Sequence, residues 1–183
     1  TVGFLVLSVA LVLASYGSRV KPAVAAKPVS LDPQAGLPQN WDQVLPAATR
    51  FVVLQDFANA AVRDNETGLV WEHTPAMTFN SWYTGRDACI NKNVGGRKGW
   101  RLPSLPELAS LVDPSVAAPG PTLTPGHPFL AVQSGGYWSA STNAENPTHA
   151  WFAEFFSGGV DTSFKTDLHR VWCVRGGMDA DQY

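Results

Sequence analysis

The chain has 183 residues, seven of them tryptophan, and a formal net charge of −2. That length suits one domain of ordinary size with extensions, and the near-neutral balance leaves no global field to draw nucleic acid or an anionic membrane. Two cysteines far apart, Cys89 and Cys173, are either a disulfide or two buried thiols, and without a Cys-x-x-Cys or His-rich cluster a structural zinc site is not expected.

Residues 2–14 are apolar except for Ser8, and no charge precedes Arg19. The run has the length of a signal-peptide apolar region. Continued through residues 15–17, it rises about 25 Å as a helix, close to a hydrocarbon core of roughly 30 Å. Ala23-Val24-Ala25 resembles a cleavage site but lies far from the end of the run. Residues 1–18 are therefore read as an uncleaved signal anchor, an N-terminal apolar helix that meets the lipid bilayer through residues 2–17. Arg19, Lys21 and Lys27 would hold the following chain in the cytoplasm by the positive-inside rule. The charges are few, and export to the periplasmic or extracellular face is favoured. Residues 19–49 carry five prolines and read as an extended tether, with Trp41 as its contact point.

The globular domain is expected over residues 50–177, with a short tail at 178–183. Residues 51–54 and 60–63 are predicted strands. Asp64-Asn65-Glu66-Thr67-Gly68 is a turn, because Asp and Asn bond to local backbone and Gly68 supplies a positive φ. Residues 69–71 resume as a strand, completing a hairpin. A helix is predicted over 80–91, with Trp82, Cys89 and Ile90 on one face.

Gly99-Trp100-Arg101-Leu102-Pro103 reads as a short strand end, and the next residues as a helix start. Ser104 stands at the N-cap and Glu107 three residues on, which is a capping box. Leu105, Leu108, Leu111 and Val112 give this helix one apolar face, and Pro114 ends it. Residues 116–129 form a Pro- and Gly-rich loop. Residues 137–139, 150–156, 160–164 and 171–175 are short strands. The class is α+β, two helices against a twisted antiparallel sheet. Trp71, Trp82, Trp100, Leu102, Leu108, Trp138, Trp151 and Trp172 are the expected core.

In order, Arg50-Phe51, then residues 64–72, then Trp82 with Cys89 seven residues on, then Gly99 to Pro103 with Glu107-Leu108, then Tyr137-Trp138-Ser139-Ala140-Ser141, then Val171-Trp172-Cys173-Val174-Arg175 form a specific series. It resembles the C-terminal domain family of Lcl, the collagen-like adhesin, over residues 50–177. The resemblance implies a C-type-lectin-like fold with two helices, a small mixed sheet and a long irregular loop. It also implies an exported chain without an established common reaction, and for the prototype trimerisation and sulfated-polysaccharide binding. Asn59-Ala60-Ala61-Val62 departs from the family's Gly-Thr-Val, and Gly85 stands where the family prefers Ala. In an exported chain Cys89 and Cys173 are expected to pair as a disulfide.

No catalytic residue, cofactor or metal ligand set is assigned. Asp161, Asp167 and His169 read as solvated strand positions. His73, His127 and His149 are scattered, and no nucleophile elbow frames a serine. Lys92, Arg97, Lys98 and Arg101 read as a solvated basic loop. The leading expectation is a non-catalytic, membrane-anchored accessory subunit whose partner is an integral membrane protein complex. It would dock through residues 114–136, with Leu123, Phe129 and Leu130 as the interaction loop. The alternative is a secreted or surface adhesin-like module that binds carbohydrate.

Overall fold

A computed structural model describes residues 44–176 of the chain. The expected anchor, most of the tether with Trp41, and the tail lie outside these residues. Among the described residues no helix is long and apolar enough to cross a membrane.

A short helix α1 (Ala47–Arg50) leads into strand β1 (Phe51–Val53), and a 3-10 turn (Gln55–Phe57) separates β1 from β2 (Ala61–Asp64). The residue 64–68 turn then returns the chain as β3 (Val70–Glu72). Its hairpin form follows the sequence: Asp64 Oδ1 accepts from the Glu66 N–H at 3.0 Å, and Gly68 sits at φ 72°. Strand β4 (Ala76–Asn80) precedes helix α2 (Trp82–Ile90), and α3 spans Leu105–Ala109. The remaining strands are β5 (Gly136–Thr142), β6 (His149–Glu154), β7 (Val160–Phe164), β8 (His169–Val171) and β9 (Val174–Arg175).

The class is α+β, but the strands form two sheets rather than one. The first has the order β1-β2-β3-β9 and the second β4-β8-β5-β6-β7. Nor is the second purely antiparallel, since β5 runs parallel to β8 with Tyr137 opposite Arg170. The single strand expected over 171–175 divides between the sheets. Trp172 and Cys173 occupy the crossing point, both fully buried, with the Trp172 indole donating to the Glu72 carbonyl at 2.9 Å. Strand β4 is an element without a counterpart among the expected ones. Ser81 caps α2, accepting from the Thr84 N–H at 3.3 Å, and so sets the helix start two residues later than expected. Trp100 and Leu102 flank a single bridge from Arg101 to Val174 rather than a strand.

Gly85 answers to packing. A Cβ there would lie 2.9 Å from Cγ1 of the buried Val171, so α2 approaches β8 more closely than alanine permits. The helix forgoes about 1 kcal/mol of propensity for that approach.

Two clusters make the core. One gathers Phe51, Val62, Trp71, Leu108, Leu111, Tyr137, Phe155 and Trp172. The other gathers Trp82, Cys89, Trp100, Leu102, Trp138, Val171 and Cys173. Leu108 is fully buried, and Leu108→Ala is expected to cost about 2–5 kcal/mol, read by chemical denaturation. Trp151 departs from expectation: it is only partly buried.

The capping box is present as read from the sequence. Ser104 Oγ accepts from the Glu107 N–H at 3.4 Å, and Glu107 Oε2 accepts from the Ser104 N–H at 2.7 Å. Arg101 adds two bonds of 2.7 Å to the same carboxylate. Burial raises the Glu107 pKa, but the Arg101 and Ser104 hydrogen bonds outweigh it and leave the carboxyl below its ordinary 4.5. A folded value below the unfolded one gives stability that is present above the unfolded value and lost as pH falls through the folded one. Denaturation midpoints followed from neutral into acid are therefore expected to fall less steeply below about pH 4.5 in Glu107→Gln than in the parent.

Candidate functional site

A cleft beside the expected interaction loop lies where the turn after β1, the segment after α2 and the long loop meet. Its volume is about 540 Å³, and Asn59, Glu72, His73, Lys92, Val94 and Leu130 line it. Ala58 and Asn59 shape one wall in the left-handed region, at φ 52° and 60°.

Glu72 ends β3 with its side chain buried. Its Oε1 pairs with Lys92 Nζ, and its Oε2 accepts from the Cys173 N–H at 2.9 Å. The next residue, His73, has its Nδ1 at 2.7 Å from the Asn59 carbonyl and its Nε2 at 2.8 Å from the Pro128 carbonyl. Its backbone N–H donates to the Ala60 carbonyl, and its carbonyl accepts from the Leu130 N–H. His73 thus ties three segments together, and both ring nitrogens are engaged. Glu72, His73 and Lys92 are thus all tied into the fold by internal bonds.

The expected interaction loop is mostly core. Leu123 and Phe129 are buried, at 3% and 5% exposure, while Leu130 is 53% exposed on the cleft rim. Leu123 bridges to Val112, and the Phe129 ring meets Phe51 and Trp172 edge-on at 5.0 and 4.8 Å. The prolines stiffen a loop that folds back to fill the core, and two of the three expected anchors are spent on packing. A loop long enough to reach a partner is also long enough to cover its own sheet.

Cys89 on α2 and Cys173 are joined by a disulfide, as expected, with both residues fully buried. The basic cluster is largely paired: Lys92 with Glu72, Arg97 with Asp56, and Arg101 with Glu107. Asp167 Oδ2 accepts from Ser163 Oγ and from the Phe164 N–H, closing the turn after β7. His169 stacks on Phe152 at 4.2 Å, and burial pushes its pKa below the ordinary 6.5, against the pull of Asp167 and Glu154. Among the described residues no three His, Cys, Asp or Glu side chains gather as a metal set.

A second cleft, of about 430 Å³, escapes sequence reasoning; Thr142, Asn143, Ala144, Glu145, Trp151 and Thr162 line it. Trp151 on β6 stands opposite Thr162 on β7. Cross-strand partners share a face, so that pairing carried the signal: a tryptophan beside a polar threonine, in the middle of the β6–β7 ladder, is poorly placed for the core. Thr142 Oγ1 accepts from Lys165 Nζ at 3.0 Å, and that ammonium lies 4.4 Å over the Trp82 ring.

No curated protein matches the chain. The family model described as the Lcl C-terminal domain matches residues 60–175, more than half of the sequence and nearly all of the two-sheet unit. It spans the turn after β2, the disulfide, the capping box and β9 together. The chain belongs to the Lcl C-terminal domain family.

Proposed function

We propose that this chain is a non-catalytic surface module of adhesin type, placed outside the cytoplasm, that binds carbohydrate. The observation that carries the proposal is the commitment of Glu72, His73 and Lys92 to internal bonds: the titratable groups of the first cleft are used to build it. Family membership supports the adhesin-like, surface character. The disulfide supports export, because such bonds persist in oxidising compartments. A C-type-lectin-like arrangement is part of the proposal. It is supported by the two sheets, the irregular segment between α3 and β5, and the covalent link from a helix to the last strands.

The reading as a subunit of a membrane-protein complex loses its apolar anchors, since Leu123 and Phe129 are core residues. Of the three expected anchors, Leu130 alone remains for such docking. Anchoring by residues 2–17 is compatible with a surface module and is tested by the N-terminal mass of the mature protein. An intact apolar segment supports an anchor, and a start near Ala26 supports secretion.

The binding claim is tested by applying the mature protein to an array of uncharged and sulfated oligosaccharides. Selective, saturable retention of a glycan class is expected. Failure to retain any glycan, with stable capture of one membrane protein from detergent extract, would overturn the carbohydrate reading.

A further inference from the structure

We infer that the cleft at Trp151 is the seat of an uncharged sugar, a deeper form of the carbohydrate reading on which it rests. The six described tryptophans divide sharply. Trp71, Trp82, Trp100, Trp138 and Trp172 are buried, and four of these donate their indole N–H to a backbone carbonyl. Trp151 is partly exposed, and its indole has neither a hydrogen-bond partner nor a ring contact among the described residues. Part of an aromatic ring with an unused donor thus reaches the cleft from the β6–β7 ladder.

The surrounding groups are polar and ordered. Asn143 Oδ1 accepts from the Glu145 N–H at 2.9 Å and from the Asn146 N–H at 3.4 Å. Those two donors fix which end of the amide is oxygen, and its Nδ2 remains free to donate. Thr142 Oγ1 already accepts from Lys165, so its own proton is available as a donor and is polarised by the charge behind it. Glu145 and Thr162 supply acceptors. An aromatic face ringed by both donors and acceptors matches a pyranose, which has an apolar C–H face and hydroxyls that donate and accept.

Charge separates this ligand from a sulfated one. Among the described residues Glu145 is the only charged one lining the cleft, and Lys165 is buried behind Thr142. A sulfate in this cleft would meet a carboxylate without a lining cation, whereas an uncharged ring uses that carboxylate as an acceptor.

The test uses the mature chain, an array of uncharged and sulfated oligosaccharides, and calorimetry with the best-retained uncharged glycan. Three variants report on the seat. Trp151→Ala removes the platform, Trp151→Phe keeps a ring without the N–H, and Asn143→Asp keeps the turn acceptor while removing the free donor. Expected are retention of uncharged glycans, a loss of affinity of about tenfold or more for Trp151→Ala, and a loss of about three- to tenfold for Asn143→Asp. Trp151→Phe is expected to fall between the parent and Trp151→Ala, with all melting temperatures near the parent. If Trp151→Ala does not fold, the other two variants decide. Glycan binding that is unchanged in the folded variants, or confined to sulfated glycans, overturns the seat while leaving the carbohydrate reading standing. No retention of either class overturns the reading itself.

Discussion

Arg50→Met is expected to destabilise the protein by about 3–5 kcal/mol, because it breaks a buried ion cluster from its centre. Arg50 is 1% exposed, and its Nε and Nη2 donate to the two oxygens of Asp64 at 3.0 and 2.8 Å. Nη2 also donates to the Ser110 carbonyl, and Nε lies 3.1 Å from Glu66 Oε2. Both carboxylates are buried, and Glu66 Oε1 accepts in addition from the Leu45 N–H. Removing the guanidinium leaves two like charges in a low-dielectric interior, which costs far more than the intact cluster contributes. The control is Arg50→Met combined with Asp64→Leu and Glu66→Leu, which removes the stranded charges and is expected to recover much of the loss. Urea denaturation at neutral pH measures both. A loss below about 1 kcal/mol in the single variant would mean that the cluster is solvated.

Loss of the disulfide is the second large effect. Cys89 and Cys173 are separated by 84 residues, so cross-linking removes much of the freedom of the unfolded chain. The chain-entropy relation gives about 4–5 kcal/mol for a loop of that length. Cys89→Ala with Cys173→Ala is expected to show that loss in denaturant, and to lose cooperativity first where α2 meets β8. Glu72 is coupled to the same bond, because Cys173 donates its N–H to that carboxylate, and Lys92 follows from Glu72. The first cleft is therefore expected to loosen with the disulfide, visible as faster amide exchange at His73 and Leu130.

Local chemistry is the readable part of the sequence. The capping box at Ser104 and Glu107, the turn at Asp64 to Gly68 and the burial of five tryptophans follow from short-range rules that tertiary contacts do not override. The division of the last strand does not follow, because residues 171–175 are continuously strand-like. Only the crossing of Trp172 between sheets decides where each end pairs. The path of the long loop is hidden for a related reason. Leu123 and Phe129 have the composition of an exposed anchor, and nothing local distinguishes that from a segment folding onto Phe51 and Trp172. Trp151 departs in the opposite direction. Its apolar character predicts burial, while its register opposite Thr162 places it at a polar cleft. The ion cluster at Arg50 is legible only as a motif, since burial turns an Arg and two carboxylates into a core element.

The central claim is that the module binds a glycan without changing it. Calorimetric titration of the mature protein with an array-selected oligosaccharide, followed by mass spectrometry of the recovered ligand, tests both halves. Saturable binding at one site per chain is expected, with the ligand recovered at its original mass. A shortened or modified glycan, or no saturable heat with any glycan, would contradict the claim.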